Sequence, residues 1–141
     1  MRTLLITLAA VMTLSGCALF KTANPTAEQL IIQELTAVGI QAGCSTPACY
    51  DARAAKVAAI AKILESATTS MALTDLQNAV AKELIALKLT PEEIAPINAL
   101  VNGLFAYLTP LAGTSQLTAS VVTTINTVAG WVETVAAEYS T

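Results

Sequence analysis

Residues 121–139 read Val-Val-Thr-Thr-Ile-Asn-Thr-Val-Ala-Gly-Trp-Val-Glu-Thr-Val-Ala-Ala-Glu-Tyr. Apolar side chains fall at Val121, Ile125, Val128, Val132, Val135 and Tyr139, separated by four, three, four, three and four positions. That rhythm keeps one stripe on one side of an α-helix, whereas a strand would repeat every second residue. Thr123, Asn126, Thr127, Glu133 and Thr134 lie off the seam. The spacing therefore predicts a packing helix over about 117–138. A helix lying on a membrane surface would carry Lys or Arg on its polar face, and none follows Lys88.

Upstream, the same grammar repeats. Thr90-Pro91-Glu92-Glu93 combines a cap, a first-turn proline and a glutamate three positions after the cap, the signature of a helix start. Pro96 then removes an amide and crowds the Glu92 carbonyl, which predicts either a kink or a separate turn over 91–95, with the main helix at 96–108. Pro110 and Gly113 mark the next connection. Thr74-Asp75-Leu76-Gln77 reads as a capping box for a helix carrying Leu76, Val80, Leu84 and Leu87. Thr46-Pro47 opens an alanine-rich helix expected to reach Ala67, ahead of the Thr68-Thr69-Ser70 break. Thr26-Ala27-Glu28-Gln29 opens another, with Leu30, Ile31, Leu35, Val38 and Ile40 as its apolar residues and Gly43 as its stop. The Gly39 and Gly43 pair reads as termination rather than as a dimerisation motif, because no apolar stretch of membrane length surrounds it. No segment alternates like a strand. The expected fold is all-α, one domain over residues 26–141 built as a small bundle of four or five helices.

The amino-terminal segment has a different logic. Arg2 precedes an uncharged 11-residue run, Leu4–Leu14, which ends in Leu14-Ser15-Gly16-Cys17. A positive start, an apolar centre and small residues before a cut are the parts of an export signal. Eleven residues in helix cover only about half of a roughly 30 Å hydrocarbon core, so a spanning anchor is not expected. The four residues resemble the lipobox of bacterial lipoproteins. That resemblance implies a signal peptide over 1–16, a diacylglyceryl group on the Cys17 thiol, further acylation (such as palmitate) at the new amino terminus, and a lipidated tether over 17–25. It also implies a place in the cell envelope; Ala18 after the modified cysteine favours the outer membrane, facing the periplasm. Ordinary cleavage after Ala18 is the alternative reading of the same segment. Two or more acyl chains make a stable anchor, so the membrane is the first partner, held through lipid on Cys17.

Export bears on the remaining cysteines. An oxidising compartment favours joining Cys44 to Cys49, provided the backbone between them is not one continuous helix, since residues five apart on a helix diverge by about 140°. Pro47 supplies the break. A thioredoxin-like redox pair would have two intervening residues rather than four, and a chain without histidine is poorly equipped for zinc.

Composition narrows function further. The chain is 55% hydrophobic and 12% charged, and from Cys17 on its net charge is −4 with no Lys/Arg cluster, which argues against nucleic acid as a partner. Without histidine there is no Ser-His-Asp or Cys-His arrangement, no phosphate loop or dinucleotide fingerprint occurs, and no cofactor is implied. Glu92 and Glu93 read as helix-dipole and capping residues rather than as paired catalytic acids. One stretch stands apart: residues 94–132 carry no charge over 39 positions. Either these helices are core with Asn, Thr, Ser and Gln on their outer faces, or they present a weakly polar surface to a partner, a second copy or lipid. The candidate interface residues are Thr123, Asn126, Thr127 and Trp131. The expected function is a non-enzymatic, membrane-anchored envelope lipoprotein that binds an envelope protein or self-associates through its carboxy-terminal helices. A membrane-active lysis or exclusion lipoprotein of phage type and a periplasmic enzyme are the rival expectations.

Overall fold

Five helices account for most of residues 26–140, the part of the chain that the computed structural model describes; the signal segment, Cys17 and the tether lie outside the described residues. The helices are α1 (Ala27–Gln41), α2 (Pro47–Leu64), α3 (Leu73–Ala86), α4 (Pro91–Ala112) and α5 (Ala119–Tyr139). The fold is all-α and has no strands among the described residues. A single isolated bridge joins Ala72 to Gln116, where the Leu117 amide donates to the Met71 carbonyl at 2.9 Å.

Threonine side chains cap three of these helices, at Thr26 and Thr46 as the sequence suggests and also at Thr118. Thr26, Thr46 and Thr118 each accept a backbone amide through Oγ1, from Gln29, Cys49 and Val121, so an orphan donor of the first turn is satisfied. At α3 the expected box is displaced. Ala72, held extended by its bridge to Gln116, becomes the cap, and its amide donates to the Asp75 carboxylate at 2.9 Å, so the helix begins at Leu73 rather than after Thr74. At the far end of α3, Lys88 takes a positive φ of 52°, which turns the chain toward Thr90. Helix α2 ends at Leu64, short of the expected Ala67, where the Ser66 hydroxyl donates to the Ile63 carbonyl and competes with another helical turn. Helix α4 is longer than expected: residues 91–95 are not a separate turn, because one helix runs from Pro91 to Ala112 with Pro96 and Pro110 inside it, capped by Gly113.

Helix α5 packs mainly on α2 and then on α1, while α4 lies on α1 and α3 on α2. The seam of α5 is buried at Ile125, Val128, Val132, Val135 and Tyr139, with Val121 half-buried at its start. It meets the α2 face formed by Ala54, Val57, Ile60, Ala61 and Leu64 in one contiguous core. Each large aliphatic side chain buried there stabilises the fold by about 1.5–3 kcal/mol.

In α1 the buried stripe is Ile32, Thr36, Gly39 and Ile40. Of the five apolar residues singled out along this helix, only Ile40 is fully buried; Ile31 and Val38 are 63% and 54% exposed. Gly39 is not a stop but a contact: a Cβ there would lie 3.2 Å from Leu100 Cβ, so its absence lets α1 approach α4 closely. Gly103 makes the reciprocal space on α4, beneath Leu35. The turn after α1 uses Gly43 at φ 71°, the left-handed conformation that glycine adopts without strain.

Candidate interface and its supporting node

The α5 surface is set from below by a polar node where α1 ends, α2 and α4 begin, and α5 finishes. Arg53 of α2 is only 1% exposed. Its Nη1 donates to the carbonyls of Ala42 and, at 3.4 Å, Ile40, at the carboxy-terminal end of α1. Its Nη2 donates to the Glu92 carbonyl at 3.2 Å. Glu92 is four residues before Pro96, so this is the carbonyl that loses its helical donor to the proline ring. Arg53 supplies the replacement, which explains why α4 continues through Pro96. Its charge also sits at the negative end of the α1 dipole.

Around Arg53 the node is closed by further links. Cys44 and Cys49 stand at disulfide distance and are paired, with Cα atoms 5.8 Å apart, across the Pro47 helix start as the sequence suggests. Tyr50 and Tyr139 stack at a tilt with ring centroids 5.6 Å apart, and Gln41 Nε2 donates to the Tyr139 hydroxyl. Burial pushes the Tyr139 phenol up; the Gln41 hydrogen bond opposes this, and the charge interactions with Glu138 and with the Tyr50 phenol add to it.

Lys56 and Glu93 form an ion pair between α2 and α4. Glu93 Oε1 also accepts the Thr90 amide at 2.9 Å. Burial raises this carboxyl, yet the Lys56 hydrogen bond, the Thr90 amide and the Lys56 charge together hold it below its ordinary value. Glu133 is the opposite case. Burial first, then the hydrogen bond with and charge of Glu65, push its carboxyl up, with Lys62 partly compensating. Folding thus brings together a carboxyl pair from α5 and the end of α2 that lies 68 positions apart in sequence. Among the described residues no group of three or more His, Cys, Asp or Glu could hold a metal ion.

On this frame the uncharged stretch divides into two faces. Ile97, Leu100, Val101, Leu104, Phe105, Leu108, Leu117, Ile125, Val128 and Val132 are core. Asn98 and Asn102 of α4 and Thr123, Asn126 and Thr127 of α5 are exposed. The threonines of α5 share one device: Thr123, Thr124, Thr127 and Thr134 donate their hydroxyls to the carbonyls of Ala119, Ser120, Thr123 and Gly130, four residues back. With each hydroxyl engaged by its own helix, the surface presents methyl groups more than free polar groups. Thr123, Thr127, Gly130 and Thr134 recur at helical spacing on one side, and a Cβ at Gly130 would meet nothing within 4 Å. Trp131 borders this face but is half-buried and packs partly against the core.

Thus Thr123, Asn126 and Thr127 lie together in the open, Trp131 sits at their margin, Cys44 and Cys49 belong to the supporting node, and Cys17 is outside the described residues. Arg53 and the Lys56–Glu93 pair escaped the sequence reading. The helix-interior proline at position 96, which orphans a carbonyl, was the available signal that a buried donor must exist. No family model, curated protein or solved structure matches this chain.

Proposed function

We propose that this protein is a non-enzymatic envelope lipoprotein, anchored through Cys17, whose α5 presents a binding face to an envelope protein or to a second copy. The observation that supports the reading most is the charge-free outer face of Thr123, Asn126 and Thr127, with both threonine hydroxyls already satisfied by the backbone. Such a face costs little to dehydrate, because no charge and few unpaired polar groups must leave water. The lipobox-like Leu14-Ser15-Gly16-Cys17 supports the anchor. A membrane-active role has one observation in its favour: by length and composition α4 is long and apolar enough to cross a bilayer, with a mean hydropathy of 1.3 over its best window. Against it, α4 packs on α1 through buried Ile97, Leu100, Leu104 and Leu108, and Pro96, Asn98, Asn102 and Pro110 lie within the same helix. Packing and composition therefore favour a one-sided bundle helix, although two thirds of that stretch is not buried.

Two measurements on the full-length protein in cells test the proposal. Cys17→Ser should abolish incorporation of a fatty-acid probe and leave the uncleaved precursor; label retained by the variant would refute the anchor. A photo-crosslinking residue at Thr127 should give a discrete adduct that is absent when the same residue replaces exposed Thr74 on α3. Identical patterns at both positions would refute the face.

A further inference from the structure

Helix α1 exposes a second apolar surface that is separate from the face of α5. Leu30, Ile31, Leu35 and Val38, together with Glu34, line an open groove on its outer side. Ile31 and Val38 are 63% and 54% exposed, although large aliphatic side chains are among the residues most often buried. The groove borders α4, since Leu35 packs over Gly103. On that side of α4 the neighbours of Gly103 at helical spacing, Ala99 and Ala106, are exposed and uncharged. An apolar surface thus spans two helices, with Glu34 as the one charge lining the groove.

Its position relative to the tether identifies what covers it. Cys17–Pro25 is nine residues, which span at most about 30 Å whatever their conformation. Thr26 caps α1 directly, and Ile31 and Val38 lie about 8 Å and 18 Å further along the helix at 1.5 Å per residue. A chain end fixed in a bilayer therefore keeps this groove at a high effective concentration of lipid, and weak apolar contact suffices when the second binding event is intramolecular. Four side chains, two of them half-buried, are a small patch beside the about 800 Å² that each partner of a stable protein pair contributes.

We infer that the α1–α4 groove is a lipid-docking surface, through which the domain rests on the bilayer that holds Cys17. This rests on the reading of Cys17 as the lipid-bearing residue. Helix α1, like α5, has no Lys or Arg and carries Glu28 and Glu34, so it would not bind a membrane surface by itself. The covalent tether, rather than headgroup charge, supplies the proximity, and the contact is apolar and needs no anionic headgroup.

The test uses the full-length, processed protein reconstituted into phosphatidylethanolamine–phosphatidylcholine vesicles, some containing brominated phosphatidylcholine. Trp131 is the single tryptophan, so Val38→Trp in a Trp131→Phe background reports on the groove alone. The expected result is a blue-shifted emission quenched at least twofold by the brominated lipid, with most of that quenching lost on adding Ile31→Glu. Both substituted α1 positions are exposed, so the fold is retained. Protein that floats with the vesicles but is unquenched would overturn the docking surface and leave the anchor standing. Emission that is protected only at high protein-to-lipid ratio, without quenching, would assign the groove to a second copy and also overturn it. Failure to float would overturn the anchor, and the inference with it.

Discussion

Glu93 caps the α4 amino terminus by accepting the Thr90 amide, places negative charge at the positive end of the helix dipole, and pairs with Lys56 of α2. Its folded-state carboxyl is held below the ordinary value of 4.5, so the folded protein binds this proton less readily than the unfolded chain. The stability it contributes is therefore fully present above about pH 4.5 and is lost as pH falls through the lower folded value. Glu133, whose carboxyl is raised, acts in the opposite sense, so the informative quantity is a difference between variants. Glu93→Gln should cost about 1.5–3 kcal/mol at pH 7, the range for hydrogen bonds to charged groups, and the gap from wild type should narrow below pH 4.5 and close as pH falls through the lowered folded-state value in denaturant titrations. A gap independent of pH would mean that the charge of Glu93 is not what stabilises. The capping role was legible from Thr90-Pro91-Glu92-Glu93. The partner was not, because Lys56 lies 37 positions away and nothing local to either residue points to the other.

Among the elements, α4 shows how tertiary structure overrides a local rule. A proline six residues into a helix is expected to break or kink it, yet Arg53 satisfies the Glu92 carbonyl that Pro96 leaves without a donor. If that is why α4 is continuous, Arg53 and Pro96 are energetically coupled although they do not bond to each other. Arg53→Met should destabilise the wild-type chain by about 3–5 kcal/mol, since three carbonyls lose a buried donor. In a Pro96→Ala background the restored amide at position 96 can serve Glu92, and the cost of Arg53→Met should fall by about 1 kcal/mol. Strict additivity in a double-mutant cycle would separate the two residues. The starts of α1, α2 and α4 were readable because capping is local. The start of α3 was misplaced because the bridge from Ala72 to Gln116 decides it from across the molecule. In α1 both faces carry large aliphatics, Ile31 beside Ile32 and Val38 beside Ile40, so periodicity had no contrast with which to choose the inner one.

For the whole molecule, α5 is where the fold and the proposed function meet. Its inner seam, legible in the 4-3-4-3-4 spacing, is buried against α2 and α1, while its outer face joins exposed threonines without a charge. The sequence left open whether residues 94–132 were core or surface, because absence of charge is compatible with both. The helices resolve it as both, one face each. What the outer face meets is decided by adding a charge where the fold does not need its absence. Thr127 is exposed and its hydroxyl serves only the Thr123 carbonyl, so Thr127→Lys should change unfolding free energy by no more than about 0.5 kcal/mol. A lysine forced into a buried interface without a counter-charge costs several kcal/mol, enough to dissociate most transient complexes. The decisive measurement is therefore made on full-length Thr127→Lys, comparing its thermal unfolding with its crosslinked complexes in intact cells. Unchanged unfolding with loss of the complex is the expected result; unchanged unfolding with the complex retained would contradict the α5 interface.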